Sequence, residues 1–367
     1  MTPQLEVQLI ATVIAAACAL PGVFLVLRRM AMMSDAISHT VLFGIVAGFF
    51  LTRDLGSPLL FIGAVLTGVL TVSLVELLNR TRLVKEDAAI GLVFPVLFSV
   101  AVILISRYAG NVHLDVDVVL LGELAFAPFD RVTIFGLSLP RALAVGVVIL
   151  LVNLGVIVVF FKEIKLATFD AQLAAALGFA PALIHYGLMT MVSMTAVAAF
   201  DAVGSILVIA LMIAPPAAAY LLTDRLPRMI GLSMLIGAIS AMSGYWLARW
   251  YDLSIAGSMA TMSGVCFGLV YLFAPDRGVI ALTVRRMRQR WEFAQQMLAL
   301  HLLHHEGTPS AADESQFEHL IYHMRWAPAF ADDVVQRAEQ RGLIHRQGKM
   351  LNLTEHGRRF ARQASLS

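Results

Sequence analysis

Residues 182–222 read ALIHYGLMTMVSMTAVAAFDAVGSILVIALMIAPPAAAYLL, an almost unbroken apolar run. One helical crossing of a bilayer needs about 20 apolar residues, so a run of this length predicts two consecutive transmembrane helices. The turn between them is predicted within Phe200-Asp201-Ala202-Val203-Gly204, because this segment contains a charged residue and a glycine. The stretch therefore predicts a protein that crosses a membrane more than once.

Similar apolar runs fill most of the chain before residue 280. Of all 367 residues, 59% are hydrophobic and 14% are charged, which excludes a wholly water-soluble protein. The pattern predicts an all-α polytopic membrane protein with eight or nine transmembrane helices. A window of about 20 residues places nine spans near residues 6–27, 33–51, 58–78, 88–106, 141–161, 182–200, 203–222, 229–250 and 255–274.

The loops between these spans differ in positive charge. If the N-terminus lies outside, the external loops contain only a few basic residues, Arg53, Arg107 and Arg131. The cytoplasmic loops are richer in lysine and arginine and end in the basic run at residues 285–290, as the positive-inside rule requires. This orientation places everything beyond the last span in the cytosol.

A carboxylate and an imidazole interrupt the second span. Asp35 and His39 lie in MSDAISHT, residues 33–40. Ionisable groups at membrane depth usually mark a transport pathway. Their i, i+4 spacing places both side chains on one helix face, where they can bind one divalent cation together. A buried ion pair or a helix cap near the membrane surface explains the same spacing.

The segment from about residue 107 to residue 140 has a mixed character. Residues 112–117 are too charged to span a membrane, and residues 118–122 are too apolar for a free loop. A re-entrant or interfacial helix on the external side accounts for both features. The three side chains His113, Asp115 and Asp117 then form an external metal funnel or cap a solvated helix.

Four short motifs follow one another along the spans. They are SDAISH at residues 34–39, KEDAAIG at residues 85–91, the stretch from Phe169-Asp170 to Ala176-Leu177-Gly178, and VGSIL at residues 203–207, leading to Ala214-Pro215. In these motifs, and over about residues 5–280, the chain resembles the permease subunits of bacterial ABC importers for zinc, manganese and iron.

The resemblance implies a function and a location. It implies a multi-pass permease of the bacterial inner membrane that moves Mn, Zn or Fe into the cytoplasm. The divalent transition metal is the transported substrate, and no cofactor is expected to stay bound. In the family the Asp-x-x-x-His pair lines the pathway and contacts the metal, which implies that role for Asp35 and His39.

The loop after the fifth span contains the region expected to contact an ATPase. Residues 170–178 read as a short helix capped by Asp170 and ended by Gly178, with small residues such as Ala174 and Ala175 that allow close approach of a partner. In ABC importers such a helix couples the permease to its ATPase, and this stretch resembles it. A surface helix that merely joins two spans is the alternative.

The chain is expected to be a transport subunit and not an enzyme. No Gly-x-x-x-x-Gly-Lys-Ser/Thr sequence occurs in it, so ATP hydrolysis is assigned to a separate ATP-binding cassette subunit. The resemblance implies two further partners within or beside the lipid bilayer, an extracytoplasmic metal-binding protein and a second permease copy or a related permease.

Beyond Pro275 the apolar spans give way to a charged tail. We predict a transmembrane metal permease domain at residues 1–280 and a small cytosolic winged-helix (α+β) domain at residues 286–367. The tail reads as helices at about 290–305, 313–323 and 328–341, two short strands near 343–353 and a helix from Thr354. Residues 338–344 and 353–358 resemble the DNA-binding module of iron-dependent metalloregulators.

The charges of the third tail helix do not favour nucleic acid as a partner. Arginines and glutamines alternate there with Asp332, Asp333 and Glu339, which indicates a protein or regulatory contact in place of a phosphate surface. The tail also contains seven of the ten histidines. Neutral imidazoles at i, i+4 bind divalent metals, so metal sensing and ordinary solvation are both open for His301, His304, His305, His319 and His323.

Two other functions use the same features. A secondary transporter driven by protons or sodium would use Asp35 and His39 to carry the coupling proton. A membrane-tethered, metal-responsive regulator would have its functional part in the tail.

Overall fold

The computed structural model describes residues 2–54, 57–108, 124–134, 136–309 and 311–365. Within these residues nine helical segments are long and apolar enough to cross a membrane, which confirms the nine predicted spans. In chain order the elements of this part are α1 Pro3–Leu27, α2 Ala31–Thr52, α3 Pro58–Arg80, α4 Glu86–Tyr108, β1 Arg131–Ile134, β2 Leu137–Pro140, α5 Arg141–Val159, α6 Phe161–Phe169, α7 Ala171–Ala176, α8 Pro181–Leu222, α9 Leu226–Tyr251 and α10 Ile255–Phe273.

The long helix α8 is broken at one residue. Gly204 has φ 74° and ψ 165°, a conformation that a residue with a side chain rarely adopts. The break lies inside the predicted turn, at the start of the second of two spans, which are here called α8a, Pro181–Phe200, and α8b, Ala202–Leu222.

Helix α1 lies at the centre of the helical core. Of the residues in the most apolar 18-residue stretch of α1, 78% are buried inside the protein. Small side chains at residues 15–19 let neighbouring helices approach closely, as is usual where lipid provides no hydrophobic driving force. Asn153 of α5 donates hydrogen bonds to the Ala17 carbonyl (3.1 Å) and to Thr195 Oγ1 (2.8 Å), joining α5 and α8a to α1.

Helix α2 packs tightly against α3. The Thr71 hydroxyl donates to Thr40 Oγ1 over 2.8 Å, and both side chains are buried. Gly44 lies so close to α3 that a Cβ atom there would be 2.6 Å from Ala64 Cα. The position of the helix that carries Asp35 and His39 is thus determined by backbone contact.

The segment between α4 and α5 is described only from residue 124 onward. The residues on which the re-entrant or interfacial helix was predicted, 112–122, lie outside the described residues, and so do the funnel residues His113, Asp115 and Asp117. From residue 131 the chain forms an antiparallel hairpin, β1 with β2, that was not predicted. Gly136 supplies the positive φ of 78° in its turn. Arg131 donates to the buried Glu6 carboxylate of α1 over 3.2 Å, so the hairpin is attached to α1.

Residues after Gly278 form a second compact unit, Val279–Ser367. Its core contains Leu298, Leu320, Val334 and Leu351. Its elements follow the predicted order, except that the helix predicted at about 313–323 is divided into α12 and α13. They are α11 Val279–His305, α12 Ala311–Glu314, α13 Phe317–Met324, α14 Pro328–Gln340, β3 Ile344–Gln347, β4 Met350–Leu353 and α15 Glu355–Ala364. Two short strands alone do not establish a winged helix, so that assignment stays a prediction.

The first helix of the second unit is longer than expected. It begins at Val279, about ten residues before the predicted start, and continues through the basic residues 285–290. No glycine or proline interrupts this stretch, and arginine and methionine are good helix formers.

Candidate functional site

The Asp35–His39 pair lies on one face of α2. His39 Nε2 is 3.4 Å from Asp35 Oδ1, as the i, i+4 spacing predicted. At a rise of about 1.5 Å per residue, His39 lies about 12 Å from the start of the helix at Ala31. Both groups are therefore within a segment long and apolar enough to span the membrane.

The surroundings of this pair are apolar on one side and open on the other. The His39 ring stacks on Phe94 of α4, with ring centroids 5.6 Å apart, and meets the edge of Phe98 at 6.1 Å. These contacts orient the imidazole. The Asp35 and His39 side chains nevertheless remain 34% and 30% exposed. A carboxylate and an imidazole thus form part of the surface of this chain at membrane depth.

A second cluster of polar side chains lies in the same unit, and its assembly could not be predicted from local sequence. Arg28, just beyond α1, approaches His185 Nδ1 of α8a at 2.9 Å. His185 Nε2 is 3.5 Å from Glu76 Oε1 of α3, and Tyr186 donates to Glu76 Oε2 over 2.5 Å. An acidic residue inside an apolar span was the available signal at Glu76, but its partners come from other helices.

The predicted ATPase-coupling region is confirmed as a short capped helix. The Asp170 carboxylate accepts a hydrogen bond from the Leu173 backbone N–H over 2.8 Å, at the start of α7. Gly178 has a positive φ of 87° and ends the helix, with the Phe179 N–H bonded to the Ala174 carbonyl at 3.0 Å. We call residues 169–179 the coupling segment.

The two predicted contact alanines of this segment have different environments. Ala174 is fully buried, so it packs inside this chain and is not available to a partner, contrary to the expectation for it. Ala175 is exposed. The remaining exposed surface is strongly apolar and contains Phe169, Leu173, Leu177 and Phe179.

The structure keeps the two predicted histidine pairs, His301 with His305 and His319 with His323. It brings these four together around a carboxylate that the prediction missed, Glu314 of α12. One group is His301, His305 and Glu314, and the other is Glu314, His319 and His323. His304 is exposed and belongs to neither group. Burial lowers the pKa of His301, which keeps its imidazole neutral at physiological pH.

Comparison with known proteins connects this architecture to a family. Residues 4–274 match the ABC 3 transport family. The chain belongs to this family. As an ABC 3 transport family member it is a multi-pass membrane protein of a transport system, in agreement with the prediction of a permease subunit. Membership of an ABC transport family also argues against the alternative of a secondary transporter driven by protons or sodium.

Two relatives show how much of this chain is similar to known family members. This chain is 51% identical over 353 residues to the zinc transport system membrane protein TroD of Treponema pallidum, and the match covers 96% of each chain. It is 50% identical over 292 residues to the manganese transport system membrane protein MntD of Bacillus subtilis, covering 79% of this chain and 99% of MntD. TroD thus matches most of the second unit, whereas MntD has no counterpart for about a fifth of the chain.

A solved structure also resembles this ABC 3 family chain. A chain of PsaBC from Streptococcus pneumoniae, in complex with Fab, superposes with a TM-score of 0.63 at 28% identity. The match covers 77% of this chain and 96% of that chain.

Proposed function

We propose that this chain is the permease subunit through which an ABC importer carries a divalent transition metal, Mn, Zn or Fe, into the cytoplasm. The observation that carries the proposal is a carboxylate and an imidazole, 3.4 Å apart and each about one third exposed, in a helix long and apolar enough to span the membrane. Relatives named as zinc and manganese transport system membrane proteins support it.

Asp35 and His39, here called the pathway pair, bind a cation tightly enough to admit it and weakly enough to release it. A carboxylate oxygen and an imidazole nitrogen each bind such metals at about 2.0–2.2 Å, and Asp35 Oδ1 and His39 Nε2 are close enough to share one ion. Two protein ligands leave the other coordination positions to water or to a partner. The metal can therefore pass on by ligand exchange.

The exposure of the pathway pair supports a second permease as partner. An ionisable pair that faced lipid would be strongly unfavourable. A second copy of this chain, or a related permease, that covers this face of α2 would enclose the pathway between the two subunits. Its own side chains would then complete the coordination of the ion.

The coupling segment supports a separate ATP-binding cassette subunit as the motor. Its apolar side chains Phe169, Leu173, Leu177 and Phe179 are exposed next to the small Ala175. An apolar surface of this kind is typical of a contact with another protein. An extracytoplasmic metal-binding protein would supply the ion on the opposite side of the bacterial inner membrane.

For the second unit we propose a cytosolic winged-helix module that makes regulatory protein contacts. The positive-inside distribution of charge supports its cytosolic location. The order of helices and strands supports the fold, and the acidic residues among the basic ones of α14 support a protein contact over nucleic acid.

The identity of the metal follows from neither the ligands nor the relatives. A carboxylate with an imidazole suits Mn, Zn and Fe alike, and affinity order does not set selectivity in cells. One relative is named for zinc and another for manganese. Uptake by the reconstituted complex with competing cations would identify the preferred ion.

Alanine substitution of either pathway residue tests the proposed function. Asp35→Ala and His39→Ala each remove half of a two-ligand site, so both are expected to abolish metal uptake while the protein still reaches the membrane. Asp276→Ala and His345→Ala, at exposed positions outside the site, should transport normally. Uptake near the normal rate in both pathway variants would overturn the assignment.

A further inference from the structure

The second unit contains a compact group of five side chains that bind metals in other proteins. The tail cluster, as we name it, consists of His301, His305, Glu314, His319 and His323, from α11, α12 and α13. Within each of its two three-residue groups, the ligand atoms lie within 4.8 Å of one another. The rings of His301 and His323, one from each group, have centroids 5.3 Å apart, so the two groups adjoin.

Glu314 is the residue common to both groups. Its Oε2 atom is 3.4 Å from His301 Nε2 and 3.0 Å from His319 Nδ1. Two ligand atoms that share one metal ion at about 2.0–2.2 Å lie about 3–3.5 Å apart. The spacing of these atoms is therefore that of neighbouring ligands around a single ion.

The two polar atoms at the centre of the cluster face each other at 3.0 Å but make no hydrogen bond with each other. Glu314 Oε2 and His319 Nδ1 are both buried, and neither has a hydrogen bond of normal geometry to any described residue. Leaving a buried acceptor without a hydrogen bond is unfavourable, and more so when the acceptor is charged. A cation between the carboxylate and the imidazoles would satisfy both atoms at once.

From these contacts we propose that the tail cluster binds a divalent transition metal, with Glu314 as the shared ligand. Four imidazoles and one carboxylate favour zinc or a similar ion over Mg²⁺ and Ca²⁺, which prefer oxygen ligands. His301 Nε2 also lies 3.2 Å from the Glu314 backbone carbonyl. Binding through that nitrogen exchanges a hydrogen bond for a coordinate bond without moving the ring.

The surrounding backbone holds the ligands in place before any ion arrives. Between α12 and α13, the Ser315 carbonyl accepts from the Leu351 N–H at 2.9 Å, and the Phe317 N–H donates to the Lys349 carbonyl at 3.0 Å. The segment that carries Glu314 is thus attached to the β3–β4 hairpin. A metal bound by His301 and Glu314 would link the end of α11 to that hairpin.

The site is independent of the pathway pair, because all its ligands lie in the second unit. The test therefore uses the full-length chain carrying Asp35→Ala and His39→Ala, purified in detergent and stripped with a chelator. Zinc is then titrated in competition with a chromophoric chelator. We expect at least one saturable zinc equivalent per chain, not displaced by millimolar Mg²⁺, whether or not the transport assignment holds.

Substitutions within the tail cluster locate that zinc. Glu314→Gln keeps the size of the side chain but removes its charge, and it is expected to weaken zinc binding at least 10-fold. His323→Gln, at an exposed position where folding is not at risk, should weaken it as well. His345→Gln, an exposed histidine of the same unit outside the cluster, should leave the affinity unchanged.

Cobalt provides a readout that mere destabilisation would not produce. Co²⁺ in the cluster should give visible d–d absorption bands, which Glu314→Gln and His323→Gln should reduce and His345→Gln should not. Absence of saturable zinc binding in the parent chain would overturn the proposal. Equal affinities in the parent chain and both cluster variants would overturn it too.

Discussion

At the level of single residues, Gly44 determines how closely α2, the helix of Asp35 and His39, approaches α3. A side chain at Gly44 would collide with the Gly63 carbonyl group and would place its Cβ 2.6 Å from Ala64 Cα. Both obstacles are backbone, which cannot move aside without displacing α3. Asp35 and His39 lie on the same helix, so their position depends on this contact.

Alanine at position 44 should therefore affect both stability and transport. Gly44→Ala is expected to push α2 and α3 apart, at a cost of about 1–3 kcal/mol as for other overpacked positions, and to slow metal uptake. The midpoint of thermal unfolding in detergent and the uptake rate measure the two effects. Gly155→Ala on α5 is the matched control, because no described atom lies within 4 Å of its added Cβ. Equal stability of the two variants would contradict the close approach.

At the level of elements, one arginine joins the end of α6, next to the coupling segment, to α8a and to the start of α2. Arg28 donates to the Ala167 carbonyl at 3.3 Å and to Thr168 Oγ1 at 3.4 Å, both near the end of α6. It also meets His185 of α8a, and the chain that follows it begins α2 at Ala31. A displacement at the end of α6, where the coupling segment begins, can thus reach α2 through a single side chain.

A bulky residue on the coupling segment should separate ATP hydrolysis from transport. Ala175 is exposed next to Leu173 and Leu177, so Ala175→Trp is expected to block the approach of the ATPase. Either the ATPase no longer co-purifies, or its hydrolysis is no longer coupled to uptake. Ala175→Ser, which stays small, is the control. An intact complex with normal stimulated hydrolysis would argue against this segment as the contact.

At the level of the whole molecule, the chain consists of two units with separate cores. The apolar core of the first unit ends within α10, and the core of the second is built from α11, α13, α14, α15 and the β3–β4 hairpin. Each membrane span satisfies its own backbone hydrogen bonds, so the first unit does not require the second to span the bilayer. MntD, which is matched over 99% of its length by about four fifths of this chain, is consistent with that independence.

Removal of the second unit should spare transport and alter its control. A chain that ends at Gly278, the boundary between the units, is expected to support metal uptake. It should lose inhibition by excess internal metal or assemble less stably with its ATPase. Uptake at several internal metal concentrations, with co-purification of the ATPase, measures both effects. If the truncated chain reaches the membrane and transports nothing, the second unit belongs to the transport machinery.

The amino-acid sequence determined by itself the features that depend on neighbouring residues. Nine spans are visible because about 20 apolar residues suffice for one crossing, whatever the rest of the chain does. The Asp35–His39 pair follows from helical spacing alone, and the Asp170 cap and the Gly178 end of α7 follow from local backbone chemistry. The hairpin at residues 131–140 was not predicted, since strands of four residues carry too little periodicity to be identified from the sequence.

Only the tertiary structure decided which distant side chains meet. Glu314 joins the tail histidines because α12 and α13 fold back beside the end of α11, and no local pattern specifies that arrangement. The same holds for Glu76 with His185, and for Gly44 against Gly63. These contacts depend on how whole helices pack, whereas sequence periodicity reports only which face of each helix is apolar.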